Sequence, residues 1–143
     1  MYYIKILGAI VALALLLLLL MLSNASGEGL CEAGWYSVES CLREGSSGIM
    51  ANGERLNDDE YVCACWHLDF NTKVKFTNIS NGKSVIAICK DRGSSMSLVK
   101  KGRFFDLSKA AFSEIAELKE GVISVYWKTI EVPIKHQANA INY

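Results

Sequence analysis

The chain has 143 residues, with 15 basic against 15 acidic side chains and 51% hydrophobic residues. This length suits one domain, and the balanced charge excludes the basic surface that nucleic-acid-binding proteins need. We therefore expect a single domain without a nucleic-acid partner.

The N-terminal segment has the composition of a secretory signal helix. Lys5 precedes an apolar run over residues 6–22, and small or polar residues follow at 23–25 with signal-peptidase spacing. We predict a cleaved signal peptide over residues 1–25. The alternative is an uncleaved anchor, because the run approaches the roughly 20 residues that span a bilayer. In either case we expect the protein to be secreted or to face the periplasm and cell envelope. It contacts a membrane only through the N-terminal segment, and only if that segment is not cleaved.

The region after the signal is predicted to be irregular at first. Residues 26–33 are expected to be a linker, and residues 34–60 contain the turn signals Ser-Ser-Gly and Asn-Gly-Glu. Only residues 35–38, with a Trp, a Tyr and a Val, favour a short strand there.

Two segments then predict a β-hairpin. Residues 72–77 alternate apolar side chains with lysines, which is typical of a half-buried strand. Asn81 and Gly82 tolerate the positive φ angles of a tight turn, and residues 84–89 return as a strand. The returning strand is almost continuously apolar, so we expect it to be buried in the core.

One helix is predicted after the loop at residues 91–101. Ser108 is a suitable N-cap, apolar residues recur at helical spacing from Leu107 onward, and Gly121 ends the helix after Lys119.

Two final strands are predicted at residues 122–127 and 129–134, and residues 135–143 are expected to be a flexible tail. Several strands with one helix indicate a small β-barrel.

The cysteines are Cys31, Cys41, Cys63, Cys65 and Cys89. In an oxidising compartment this density predicts one or two disulfides, and the odd count leaves at least one thiol unpaired. The Cys63-Ala64-Cys65 spacing is wrong for a zinc knuckle and no second ligand pair follows. We therefore expect no metal, and no motif indicates another cofactor.

Five motifs follow one another along the mature chain, namely WYS, NGERL, FNTKVKFTNISNGKSVIAICKDRG, KGRFFDLSKAAF and LKEGVISVYW. Their order resembles the rare lipoprotein A (RlpA-like) family over about residues 34–132. The resemblance implies a mainly β fold, a six-stranded double-psi β-barrel with one short α-helix, over residues 34–134.

The resemblance also implies a function. The family includes lytic transglycosylases, which cleave peptidoglycan glycan strands and form 1,6-anhydromuramyl products, and it is related to expansins, which loosen wall polymers without hydrolysing them. We expect a monomeric lytic transglycosylase whose partner is the glycan strand. The alternatives are a non-catalytic expansin-like wall-binding or loosening module and a purely structural secreted domain.

The family's acid stands in the Asp-Arg-Gly turn, here Asp91. One carboxyl group can protonate the glycosidic oxygen and then deprotonate the muramyl C6 hydroxyl that attacks C1, so a second carboxylate is not required. The resemblance therefore implies Asp91 as catalytic acid and base. Glu54 matches the family's glutamate and is its expected helper, with a solvated loop residue as the alternative.

The chain departs from the family at a histidine position, which falls on Cys65. His67 lies two residues beyond, on the same face if the segment is a strand, but we expect the histidine role to be lost or altered. Trp66, His67, Arg92 and Tyr36 are the candidate substrate-binding residues. Core packing remains the alternative for the aromatic rings, and a carbonyl or carboxylate of the protein is the alternative partner of Arg92.

We expect structural roles for Asp106 and for four cysteines, namely Cys41, Cys63, Cys65 and Cys89. Asp106 lies two residues before the helix N-cap, where it is expected to accept backbone hydrogen bonds and face the helix dipole. Two disulfides are candidates. The first joins Cys41 to Cys63. The second joins Cys89 to Cys65, which stands at the family's histidine position. Sequence alone does not fix this connectivity.

Overall fold

The computed structural model describes Val11 and residues 27–131. The predicted signal peptide lies outside the described residues except for Val11, and so do the predicted tail and the end of the last predicted strand. In the part of the chain that is described, no helix has the length and apolarity needed to cross a membrane.

Six strands form the core of the described region. They are β1 (Glu28–Tyr36), β2 (Val62–Ala64), β3 (Lys73–Asn78), β4 (Ser84–Asp91), β5 (Arg103–Ser108) and β6 (Val122–Glu131). The strands close into a barrel in the order β1-β5-β2-β4-β3-β6. β1 with β5 and β2 with β4 are parallel pairs, and the other neighbours are antiparallel. The predicted mainly β, six-stranded barrel is confirmed.

Short helices connect the strands. Over residues 27–131 these are α1 (Val38–Arg43), α2 (Met96–Val99), α3 (Lys109–Ile115) and a 3-10 turn (Leu118–Glu120), so the prediction of a single helix was wrong. α1 was not predicted because it has only 6 residues and none of them is fully buried, so its apolar spacing is too short to indicate a helix. Ser37 and Ser40 stabilise it instead, since each side chain accepts a hydrogen bond from the other's backbone N–H.

α3 begins as predicted and ends early. Ser108 caps it by accepting a hydrogen bond from the Ala111 N–H. The helix stops at Ile115 because Ala116 has extended backbone angles, and Gly121, with φ 71°, ends the separate 3-10 turn. Leu107 belongs to β5 rather than to the helix.

β1 is longer than predicted. It begins at Glu28 and pairs with β6 from Glu28 opposite Lys128 to Gly34 opposite Val122, so most of the predicted linker over residues 26–33 is part of the barrel. The two predicted final strands are one strand, β6, from Val122 to Glu131. Its ladder with β1 over residues 122–128 overlaps its ladder with β3 over residues 125–131, so backbone pairing holds the two segments together.

The hairpin of β3 and β4 follows the predicted segments, with Gly82 at φ 73° in its turn. The expected complete burial of β4 was wrong: Val85 and Ala87 are buried, whereas Ile86 between them is 47% exposed. β4 thus has one face in the core and one on the surface, as strand geometry requires of a single-layered barrel.

Two clusters of apolar side chains stabilise the fold. The barrel interior contains Phe76, Phe105 and Leu107, and the buried face of α3 closes one end of it. A second cluster of Met50, Leu56 and Val62 lies on the other side of β2. It anchors the long connection between α1 and β2, which borders the groove described next.

Candidate active site

A groove of about 560 Å³ lies where the ends of β1 and β4 meet α1 and β5. Its walls bring together acidic, basic and hydroxyl groups from segments distant in sequence, among them Tyr36, Asp91, Arg92, Arg103 and Asp106. The parallel pairing of β2 with β4 positions this groove, because it places the end of β4 beside the end of β2.

Asp91 ends β4 and is oriented by the backbone. Its Oδ1 accepts hydrogen bonds from the N–H groups of Ala51 and Arg92, both at 2.8 Å. Among the described residues, no donor reaches Oδ2. One carboxylate oxygen is therefore fixed and the other is free for a ligand, which suits a group that must exchange a proton with a substrate.

Arg92 lines the groove but is already engaged by the protein. Its Nη1 donates to the Cys65 carbonyl at 3.0 Å, and its guanidinium carbon lies 3.8 Å from the centre of the Phe70 ring. These contacts tie the turn after β4 to the segment after β2. They match the alternative in which Arg92 binds a carbonyl of the protein.

Asp106 does not have the predicted partners. Instead of capping α3, its Oδ1 accepts hydrogen bonds from Nε and Nη2 of Arg103, and its Oδ2 accepts one from Ser94 Oγ at 2.6 Å. The reason is that Asp106 lies within β5, whose side chain at this position faces the groove rather than the helix axis. Gly34 makes room for this ion pair, because a Cβ there would collide with the Arg103 guanidinium.

Glu54 lies outside the groove lining. Its carboxylate accepts a hydrogen bond from Lys90 Nζ at 2.5 Å and its side chain is 53% exposed. The hydrogen bond from Lys90 lowers the pKa of Glu54. Glu54 therefore lies beside the strand that carries Asp91, but its carboxylate is paired with Lys90.

Trp66 lies near the turn that carries Asp91. Its Nε1 donates to the Ser94 carbonyl at 2.7 Å, and the residue is 52% exposed. The indole is thus fixed by one hydrogen bond while about half of its surface remains open to a ligand.

His67 points away from the groove. Its ring makes edge contacts with Phe105 and Trp127, with centroids 5.1 Å and 5.2 Å away. Burial lowers its pKa. His67 is not among the residues that line the groove with Asp91, so it does not take over the missing histidine's position there.

Tyr36 lines the groove but buries its hydroxyl. The ring packs against the second apolar cluster, and the buried hydroxyl has no hydrogen-bond partner in the described part of the chain. Burial, and next the charge of Asp91, raise the pKa of Tyr36, so the phenol keeps its proton. A buried unpaired hydroxyl is costly, and because it is buried this one is not exposed to a ligand in the groove.

All five cysteines are free thiols in the structure. The predicted bridge from Cys41 to Cys63 was wrong because successive residues of a strand point to opposite faces. Val62 points to the cluster that Cys41 joins, whereas Cys63 points into the barrel. The other predicted pair is close, with the Sγ atoms of Cys65 and Cys89 3.4 Å apart.

The sequence analysis missed Arg103, Ser94 and Ala51 as members of the site. Arg103 stands three residues before Asp106 in RFFD, and this spacing of opposite charges was the one available signal. Ala51 contributes only its backbone N–H, which no side-chain pattern can indicate.

Comparison with known proteins links this groove to one family. The family described as "Lytic transglycolase" matches residues 31–127. A probable endolytic peptidoglycan transglycosylase RlpA of Aquifex aeolicus is 36% identical over 91 residues, which are 64% of this chain and 36% of that protein. The Treponema pallidum protein of the same name is 34% identical over 116 residues, 81% of this chain and 35% of that protein. The chain thus spans about a third of the length of these relatives.

Solved structures share the fold at lower identity. A Streptomyces papain inhibitor superposes with a TM-score of 0.55 at 19% identity, covering 73% of this chain and 96% of its own. An expansin of Clavibacter michiganensis superposes with a TM-score of 0.53 at 19% identity, covering 76% of this chain and 52% of its own. At this identity the likeness concerns the fold alone.

Proposed function

Because the chain belongs to the lytic transglycolase family of double-psi β-barrels, we propose that it cleaves peptidoglycan glycan strands and leaves 1,6-anhydromuramyl ends. The observation that carries this proposal is Asp91, which has one oxygen fixed by two backbone N–H groups and the other open to the groove. Relatives named endolytic peptidoglycan transglycosylases support the same substrate. The protein then acts outside the cytoplasm, where peptidoglycan lies.

In this proposal Asp91 performs both proton transfers. Its protonated carboxyl gives a proton to the glycosidic oxygen as the bond to C1 breaks, and the resulting carboxylate then takes the proton of the C6 hydroxyl as that oxygen bonds to C1. The sugar closes on itself, so neither a water nucleophile nor a covalent intermediate is needed. Asp91 ends the cycle in the protonation state in which it began.

Residues in the groove and beside it have supporting roles in the proposal. Trp66 lies beside the groove lining, and its exposed part is a stacking surface for a sugar ring near the turn that carries Asp91. The ion pair of Arg103 with Asp106 keeps the floor of the groove in shape, since both Asp106 oxygens are already used by the protein.

The experiment is digestion of purified peptidoglycan, including strands stripped of stem peptides, followed by mass spectrometry of the products. We expect anhydromuramyl products from the wild type and none from Asp91→Asn. Asp59→Asn is the matched control, because Asp59 is exposed and outside the groove, and it should retain full activity. Equal product from Asp91→Asn and the wild type would contradict the role of Asp91.

A second candidate function is a wall-binding or wall-loosening module without catalysis. Two observations favour it: the position matched to the family's histidine is the buried thiol Cys65, and Glu54 is paired with Lys90 outside the groove lining. The solved structures with this fold include a mutant Clavibacter michiganensis expansin in complex with cellohexaose. Binding of the wild type to glycan strands without any anhydro product would select this function.

A further inference from the structure

Three buried thiols lie together beneath the groove. Cys63, Cys65 and Cys89 are each 0% exposed. Cys63 of β2 is directly opposite Cys89 of β4 in the parallel ladder, and the Sγ atoms of Cys65 and Cys89 are 3.4 Å apart. The glycan chemistry proposed above uses none of these sulfur atoms.

The electrostatic surroundings single out one of the three sulfurs. Hydrogen bonds from Cys63 and Cys65, and then from Arg92, lower the pKa of Cys89, whereas the bond to Cys89 and burial raise the pKa of Cys65. Arg92 Nη1 lies 3.5 Å from Cys89 Sγ. Cys89 is therefore the cysteine of the three that loses its proton most readily, and a thiolate is the form that attacks a disulfide.

We propose that these thiols form a thiol–disulfide site in which Cys65 and Cys89 become a disulfide and Cys63 is the neighbouring thiol that exchanges into it. The site is independent of glycan cleavage, because its product is a sulfur–sulfur bond in the protein itself. Its co-reactant is a disulfide, either a small molecule or an oxidising protein, of the kind found where secreted proteins fold.

The oxidation occurs in two exchanges. The Cys89 thiolate attacks the co-reactant disulfide, forms a mixed disulfide and releases one thiolate. Cys65 then loses its proton, attacks the Cys89 sulfur and releases the second thiolate. Two protein thiols have lost two electrons and two protons, and one external disulfide has become two thiols. Since the sulfurs are buried in the folded barrel, this reaction takes place as the barrel closes.

Cys65 is the preferred partner because its sulfur already lies 3.4 Å from that of Cys89. A disulfide needs its sulfurs about 2.05 Å apart, so this contact must shorten. Cys63 is held in ladders with both β4 and β5, and it remains as the reserve thiol.

The test starts from the full chain, exported to an oxidising compartment and purified without reductant. It is unfolded in guanidinium with iodoacetamide, and its mass gives the number of alkylated thiols. One bridge among five cysteines leaves three alkylated, and prior reduction should restore alkylation at all five. Complete alkylation without reduction would overturn the proposal, and this readout does not depend on any variant folding.

Alanine variants then identify the sulfurs. Trypsin places Cys89 in residues 84–90 and both Cys63 and Cys65 in residues 56–73, so a cross-link between these peptides is expected from the wild type. Cys63→Ala should retain the cross-link, and Cys65→Ala should retain it through Cys63. Of these variants, only the one that combines Cys63→Ala with Cys65→Ala should lose the cross-link.

The matched control is Cys41→Ala, which should leave the cross-link unchanged because Cys41 belongs to the other apolar cluster. Loss of the cross-link in Cys63→Ala would overturn the assignment to Cys65. Loss of the cross-link in the single variant Cys65→Ala would overturn the exchange role of Cys63.

Discussion

Polar side chains in the groove differ in how many of their hydrogen-bonding atoms the protein already uses. Asp106 has both oxygens occupied, Asp91 has one, and the Tyr36 hydroxyl has none among the described residues. Atoms that the protein leaves unused are the ones that can bind a ligand without first breaking an internal bond. By this criterion the unused oxygen of Asp91 is prepared for a substrate, whereas the Tyr36 hydroxyl, although unpaired, is buried.

Tyr36→Phe tests this distinction. Removing the buried hydroxyl should leave glycan binding unchanged, and the melting temperature should stay the same or rise because an unpaired buried hydroxyl is lost. Binding to purified glycan strands and thermal unfolding are the two measurements. Tyr61→Phe is the control, since Tyr61 donates to Glu114 outside the groove. Weaker glycan binding in Tyr36→Phe would contradict this prediction and make the hydroxyl a contact of the glycan.

His67 predicts a pH dependence of stability. Burial lowers its pKa in the fold, with Cys89 opposing and Arg92 adding to the shift. Below the unfolded value of about 6.5 the unfolded chain therefore binds more protons, so stability falls as the pH decreases from 7.5 to 5.5 and levels off below the folded pKa. Melting temperatures of wild type and His67→Asn over this range measure the effect. An equal slope in both proteins would assign the pH dependence to other groups.

At the scale of secondary structure elements, the place of the Arg103 side chain over β1 depends on Gly34. Gly34→Ala places a methyl group where the Arg103 guanidinium lies, and the displacement should cost about 1–3 kcal/mol of stability. In an Arg103→Ala background the same substitution should cost much less. Denaturant unfolding of the four proteins gives the coupling, and equal costs in both backgrounds would mean that the two side chains do not meet.

Elements with an apolar alternation were predictable from the sequence, and those stabilised by particular hydrogen bonds were not. The β3–β4 hairpin followed from alternation and from Asn81-Gly82. By contrast, α1 depends on reciprocal capping by two serines, and β5 carries a mixed burial pattern in RFFDLS. The structural role predicted for Asp106 fits its two engaged oxygens, but its partners were misassigned because β5 was not predicted.

At the scale of the whole molecule, the groove is built from strands that are distant in sequence. Its walls take Tyr36 from the first strand, Asp91 from the fourth and Asp106 from the fifth. The family resemblance predicted the barrel, which the structure has, and the acid, which stays a prediction. It could not supply the partners of each side chain, because the contacts of Lys90 with Glu54 and of Ser94 with Asp106 arise only in the folded chain.

The position of β1 between β5 and β6 also governs the order in which the chain can fold. Both neighbours of β1 lie at residues 103–131, so β1 has no strand partner until β5 has been synthesised. Such long-range pairing slows folding, and a partly synthesised chain keeps β1 and β3 as open edges, which are prone to intermolecular pairing. The barrel therefore closes only after β6 has been synthesised, and a chaperone that shields strand edges until then would raise the yield of native protein.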